Sequence, residues 1–219
     1  MRRILTGMNN LTHPKHRTYA AAKPHSAGRR PPPRSTRERP HAPAAVNGEP
    51  VQTRDGETLL LRPIHPDDVA ALQRGFAHLS AAEVRMRFMH PLNELPEPLA
   101  QRLCNLDTEH EVALVLVDPQ AGGEPEIHAV ARAHVDPVTL GAEFALVVQH
   151  RFAGQGLGTL LMNRLIAACR RLGAIEMWGD VLIENGAMLE LCSELGFEQR
   201  SQMQDPGMMR VTLDLTRPA

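Results

Sequence analysis

HRFAGQGLGTLLMNRL, residues 150–165, sets Gly154, Gly156 and Gly158 at every second position and then turns into an apolar-periodic stretch. Leu157, Leu160, Leu161, Leu165, Ala168 and Leu172 recur at spacings of three and four before Gly173, which predicts a helix over 156–172 with a glycine stop. AEFALVV (142–148) just upstream reads as a strand. A glycine-rich link from strand to helix lets backbone approach an anion closely, and the helix N-terminus adds partial positive charge. The stretch is therefore expected to hold a phosphate compound.

Of the phosphate loops, a Walker loop needs Gly-Lys-Ser/Thr. The chain's lysines are Lys15 and Lys23, far upstream, so that reading fails, and with it any Schiff-base lysine beside the loop. A Rossmann loop wants G-x-G-x-x-G directly after a strand, with an acid about 20 residues on. Thr159 stands at the third glycine, and several residues part strand from loop, although Asp180 ends the next strand. It remains a secondary candidate.

Working outward, the 219 residues suit one domain and a tail. Residues 1–50 are rich in Arg, Pro, His and Ala, include RRPPPR at 29–34, and are expected to be disordered. Residues 1–49 carry ten Lys/Arg against Glu38 and Glu49, whereas the rest is acid-rich and restores a net charge of −1. An acidic body argues against nucleic-acid binding, which needs a basic face on the folded part. Cys104, Cys169 and Cys192 form no C-x-x-C, and no apolar run approaches a membrane span, so a reduced, cytoplasmic setting is expected. The histidines lack paired ligand spacing, and no metal is expected.

Along the body, 51–219, strands are expected at 58–64, 111–117, 127–135, 142–148, 174–182, from 197 onward, and at 208–215. IHAVARAHV (127–135) alternates cleanly, and Ala121-Gly122-Gly123-Glu124 makes a turn or longer loop before it. Helices are expected after Pro66-Asp67-Asp68, after a Ser80-x-x-Glu83 capping box, over 96–106, and over 185–195.

These motifs in this order carry a resemblance. Ala153-Gly154-Gln155-Gly156-Leu157-Gly158-Thr159 is similar to the Q/R-x-x-G-x-G/A pyrophosphate loop of the GNAT superfamily of N-acetyltransferases, with Ala153 where Gln or Arg is common. Asn185 through Gly196-Phe197 follows that superfamily's last motif. LRPIHPDDVAAL, LSAAEVRMRFMHPL and DTEHEVALVLV further resemble the acetyltransferase domain of bacterial protein lysine acetyltransferases, over about 53–215. The resemblance implies an α/β (α+β) fold with a central mixed, mostly antiparallel sheet of about seven strands flanked by helices. It also implies acetyl-CoA as co-substrate, and a protein with an accessible lysine, such as an acyl-CoA synthetase, as acceptor. A small amine acceptor and a non-catalytic acyl-CoA sensor are the alternatives.

Glu143 lies where such enzymes carry their catalytic glutamate, and its strand face is otherwise small and apolar (Ala145, Val147). It reads as the general base, against the ordinary fate of a salt-bridged strand acid. Backbone at Leu146, Val147 and Val148 is expected to pair with the pantetheine arm, and Arg151 to reach a CoA phosphate. Asn185 serves as helix N-cap, as a contact to the cofactor, or both. The superfamily's tyrosine acid is replaced by Cys192, and Tyr19 in the tail is the chain's single tyrosine. Cys192 is then either a proton donor or, better, a buried core thiol. Arg85 and Arg87 shape the acceptor side or are solvated helix arginines.

Overall fold

The computed structural model describes residues 48–119 and 124–217. Residues 1–47 of the proposed tail, Tyr19 among them, and the turn at 121–123 lie outside the described residues. Eight strands form one sheet: β1 (Glu49–Gln52), β2 (Thr58–Pro63), β3 (Glu111–Asp118), β4 (Glu126–Val135), β5 (Gly141–Val148), β6 (Glu176–Leu182), β7 (Glu198–Ser201) and β8 (Met208–Asp214). Their order is β1-β2-β3-β4-β5-β6-β8-β7, and every neighbouring pair is antiparallel except β5 and β6. A dinucleotide fold needs a parallel sheet, so the Rossmann alternative falls.

The expected strands are present, and the eighth is β1. Its EPVQ offers one apolar residue, Val51, and its first two residues fall in the stretch assigned to the tail. Two tertiary contacts hold it: the antiparallel register with β2, and an ion pair from Arg164 to both oxygens of Glu49 at 2.7 Å. Pro50 is tolerated because β1 is an edge strand.

Helices α1 (Val69–Ala77), α2 (Ala81–Phe88) and α3 (Glu97–Cys104) precede β3, while α4 (Leu157–Arg171) and α5 (Gly186–Glu194) follow β5 and β6. The Ser80/Glu83 capping box forms in both directions and starts α2. Helix α4 buries Leu157, Leu161, Met162, Leu165, Ile166 and Cys169 on a cluster containing Ala129, Ala131 and Ala133 of β4. Those alanines let the helix approach the sheet closely, and the apolar burial drives the packing. The other face of β4 is also covered: α1 packs there so tightly that a Cβ on Gly75 would lie 1.9 Å from the Ile127 carbonyl oxygen.

Candidate active site

Strands β5 and β6 run parallel for three pairs only, ending at Glu143 opposite Trp178. From Phe144 onward β5 keeps its partner β4 but has none on the other edge. A fork opens there, because β6 continues alongside β8 to Leu182 while β5 diverges. The Phe144 ring sits against Gly179, where an added Cβ would lie 2.9 Å from the ring. By strand alternation Leu146 and Val148 present unpaired backbone groups to this gap, while Val147 turns its own toward Val130 of β4; the open edge is suited to an extended polar ligand.

The glycine loop continues from this edge. Gly154 and Gly156 adopt φ of 70° and 79°, a left-handed conformation that favours glycine, and nothing lies within 4 Å of where their side chains would be. Gly156 occupies the N-cap of α4 without a side-chain cap. Among the described residues, none of the six N–H groups from Gly154 to Thr159 meets an acceptor. Six successive free donors at the positive end of a fifteen-residue helix form an anion cradle.

Edge and cradle share a groove of about 570 Å³. Leu146, Val147, Val148, Ala153, Gly154, Gly156, Leu157, Gly158, Thr159 and Asn185 all line it. Arg151, Gln155 and Glu143 do not. Arg151 pairs with Glu57 at 2.8 Å and stacks over Phe152 at 4.3 Å. Gln155 donates to Asp55 at 2.8 Å and accepts from the Arg54 amide at 3.0 Å, so both side chains tie the loop to the β1–β2 turn. Arg54, carried on that turn, lines the groove instead. No local signal distinguishes it in TRDGE, because its proximity depends on a contact spanning 101 residues.

Glu143 stands at the fork, half-buried, and its Oε2 is buried without a hydrogen-bond partner. Burial pushes its carboxyl above the ordinary glutamate range and the charge of Asp180 pushes the same way, while Arg210 and Arg87 oppose them. Asp180 is itself held by Arg210 and Gln202, and Arg210 lies 4.2 Å over the Trp178 ring. An under-solvated carboxylate at the branch of two strands is a competent proton acceptor.

The remaining expectations separate cleanly. The Asn185 side chain accepts from the Met188 amide at 3.2 Å, so the cap forms, and the residue also lines the groove. Cys192 is fully buried, and burial pushes its thiol up to about 12, which removes it as a proton donor at neutral pH. Arg85 pairs with exposed Glu184 at 2.9 Å, whereas Arg87 lines the groove together with Glu83 and Met86. Among the described residues, Asp107, Glu109 and His110 cluster on the surface before β3, where His110 and the Glu109 amide already bond to Asp107. No described helix is long and apolar enough to cross a membrane.

Residues 79–197 match the sequence model of the acetyltransferase (GNAT) family, more than half of the chain. The chain belongs to the GNAT acetyltransferase family. The fork and the glycine cradle both fall within the matched residues. A curated acetyltransferase of Pseudomonas aeruginosa is 29% identical over 143 residues, which cover 65% of this chain and 76% of the relative. The acetyltransferase Pat of Mycolicibacterium smegmatis is 28% identical over 153 residues, covering 70% of this chain but only 45% of Pat. Among solved structures, the GNAT domain of S. lividans PAT superposes with a TM-score of 0.67 at 26% identity, covering 76% of this chain and 96% of that domain. The GNAT fold of a mixed sheet flanked by helices is thus the fold of this chain, with eight strands rather than seven.

Proposed function

We propose that this GNAT acyltransferase is an N-acetyltransferase that carries the acetyl group of acetyl-CoA directly to an amine, in the first place the side chain of a protein lysine. The observation that carries this reading is the continuity of three features: the free donors at 154–159, the unpaired edge of β5, and Glu143 where that edge begins. The cradle suits the pyrophosphate, and the edge suits the amide-rich pantetheine arm. With the arm so placed, the thioester comes toward the fork.

A lysine ammonium of ordinary pKa must lose a proton before it can attack, at a cost of about 4.6 kcal/mol at pH 7. Glu143 accepts that proton, directly or through one water, as the nitrogen bonds to the carbonyl carbon. The C–S bond then breaks, and the departing thiolate, of ordinary thiol basicity, takes up the proton. No tyrosine stands among the described residues to supply it, and the Cys192 thiol is too weak an acid. The lysine acceptor and an acyl-CoA synthetase as its bearer rest on the resemblance of the sequence to lysine acetyltransferases, and a cytoplasmic setting rests on the cysteine pattern. No metal is assigned a role.

The test is release of free CoA from acetyl-CoA, offering a folded acyl-CoA synthetase or a panel of small amines, with wild type beside Glu143→Gln. A rate with the protein acceptor that drops ~10²–10⁴-fold in the variant, at unchanged melting temperature, is expected for a general base. Release with small amines alone moves the acceptor to that class. Binding of acetyl-CoA without turnover on any amine leaves a sensor and refutes the enzyme.

A further inference from the structure

A second cavity, of about 50 Å³, shares Val147 and Arg87 with the cofactor groove, both residues lining each. Its walls are mostly apolar, from α1 (Leu72, Phe76) and β4. Arg132 of β4 lines it too, at only 7% exposure. Among the described residues, the Arg132 side chain makes no hydrogen bond or ion pair. That sets it apart from the other deeply buried charges. Asp68 is chelated by Arg62, and Glu111 by Arg102.

Burying a cation without a partner is costly, so one expects it to be relieved by a neighbour. The neighbours do not relieve it. Glu111 is within electrostatic reach of Arg132 but gives both oxygens to Arg102 and one also to the Asp107 amide. The Cys104 thiol, pushed up to about 11 by burial, carries no charge at neutral pH. Burial pushes Arg132 itself down to about 10, still a cation at pH 7. Arg87 brings a second positive charge to the same cavity. His128, which also lines it, keeps a buried Nε2 without a partner.

We propose that this cavity is a carboxylate subsite beside the acyl-transfer centre, with Arg132 as the principal ligand and Arg87 as the second. The proposal rests on the acyltransferase reading given above and extends it to substrate class. Size restricts the occupant: about 10–15 Å³ holds one water, so the cavity takes a carboxylate and one or two methylenes, not a fatty chain. Position restricts it further. In the antiparallel register Arg132 lies opposite Ala145, two residues along β5 from Glu143 and two before Val147. A carboxylate seated there belongs to a molecule whose reacting atom is only a few bonds away. Two sources share that chemistry: the far end of a short dicarboxylic acyl group on CoA, such as succinyl, or the α-carboxylate of an amino-acid acceptor. In either case the amine–carbonyl bond forms, the C–S bond breaks, and the amine proton ends on the CoA thiolate as in acetyl transfer.

The decisive experiment pairs binding with turnover. Dissociation constants for acetyl-, propionyl- and succinyl-CoA are measured calorimetrically on wild type, Arg132→Met and Arg132→Lys, with melting temperatures for each. Acetyl transfer to amino acids is compared with transfer to the corresponding amino-acid amides. A donor subsite is supported if succinyl-CoA binds at least ~10-fold tighter than propionyl-CoA, the preference vanishes in Arg132→Met, and Arg132→Lys restores part of it. An acceptor subsite is supported by a similar preference for acids over amides that depends on Arg132. Arg132→Met should melt no lower than wild type, because it removes an unpaired buried charge. If wild type shows neither preference, or if Arg132→Met melts well below wild type and the preferences do not depend on Arg132, the subsite is refuted. Failure of all three thioesters to bind would instead refute the acyltransferase reading itself.

Discussion

Replacing Gly75 by alanine sets two physical effects against each other. Gly75 lies within α1, where helix propensity alone makes alanine better by about 1 kcal/mol. The tertiary structure says the opposite. The new Cβ would stand 1.9 Å from the Ile127 carbonyl oxygen, a backbone atom of β4 that no rotamer change can move. Helix α1 must then retreat by roughly 1 Å, a gap that forfeits a quarter to a half of each dispersion contact along that face. Ala71, Leu72 and Phe76 sit on it. The Gln149 side chain, which donates to the Gly75 carbonyl at 3.0 Å, is disturbed as well, at about 1 kcal/mol. Overpacking of this kind costs ~1–3 kcal/mol, so the net loss after the helical gain is about 2 kcal/mol. At ~2–4 °C per kcal/mol for a domain of this size, Gly75→Ala should melt roughly 4–8 °C below wild type in thermal denaturation followed by circular dichroism. Gly186→Ala is the control. It begins α5, its Cβ would meet nothing within 4 Å, and it should be neutral or slightly stabilising. A Gly75→Ala protein that melts at or above wild type would refute the packing of α1 on β4 described above.

Three further outcomes follow from the site. Asp180 raises the Glu143 carboxyl and Arg210 lowers it, so the acidic limb of the kcat/KM–pH profile should move to lower pH in Asp180→Asn and to higher pH in Arg210→Gln; parallel or absent shifts would disprove the coupling. Arg54→Ala should weaken acetyl-CoA binding by ~10-fold or more through loss of a charge-assisted contact, while Arg151→Ala should change it little, because Arg151 is committed to Glu57; calorimetry showing the reverse order would redraw the groove. Cys104, Cys169 and Cys192 are buried, with thiols pushed up to about 11, 12 and 12, so a thiol reagent should label none of them in the native protein and all three in denaturant; fast native labelling of any one contradicts its packing.

The parts of this protein that could be read from its sequence are those whose cause is local. Glycines at 154 and 156 adopt a left-handed backbone, Ser80 and Glu83 cap each other across three residues, and the leucines of α4 share a face because of the helical repeat alone. The placement of Glu143 on the strand that leads into the loop was legible for the same reason: they are neighbours along one strand and the turn after it. What lay beyond reach depends on contacts between distant segments. EPVQ becomes a strand only when β2 and Arg164 are beside it. Arg54 reaches the groove, and Gln155 and Arg151 turn from it, because the β1–β2 turn packs on a loop about a hundred residues later. Alternation in IHAVARAHV suggests a strand with one face in water, yet α1 covers the face that carries Arg132 as α4 covers the other. Periodicity shows that a side chain points to one of two faces; only the packed tertiary structure decides whether that face meets water, and so whether an arginine there is an ordinary surface charge or a buried cation awaiting an anion.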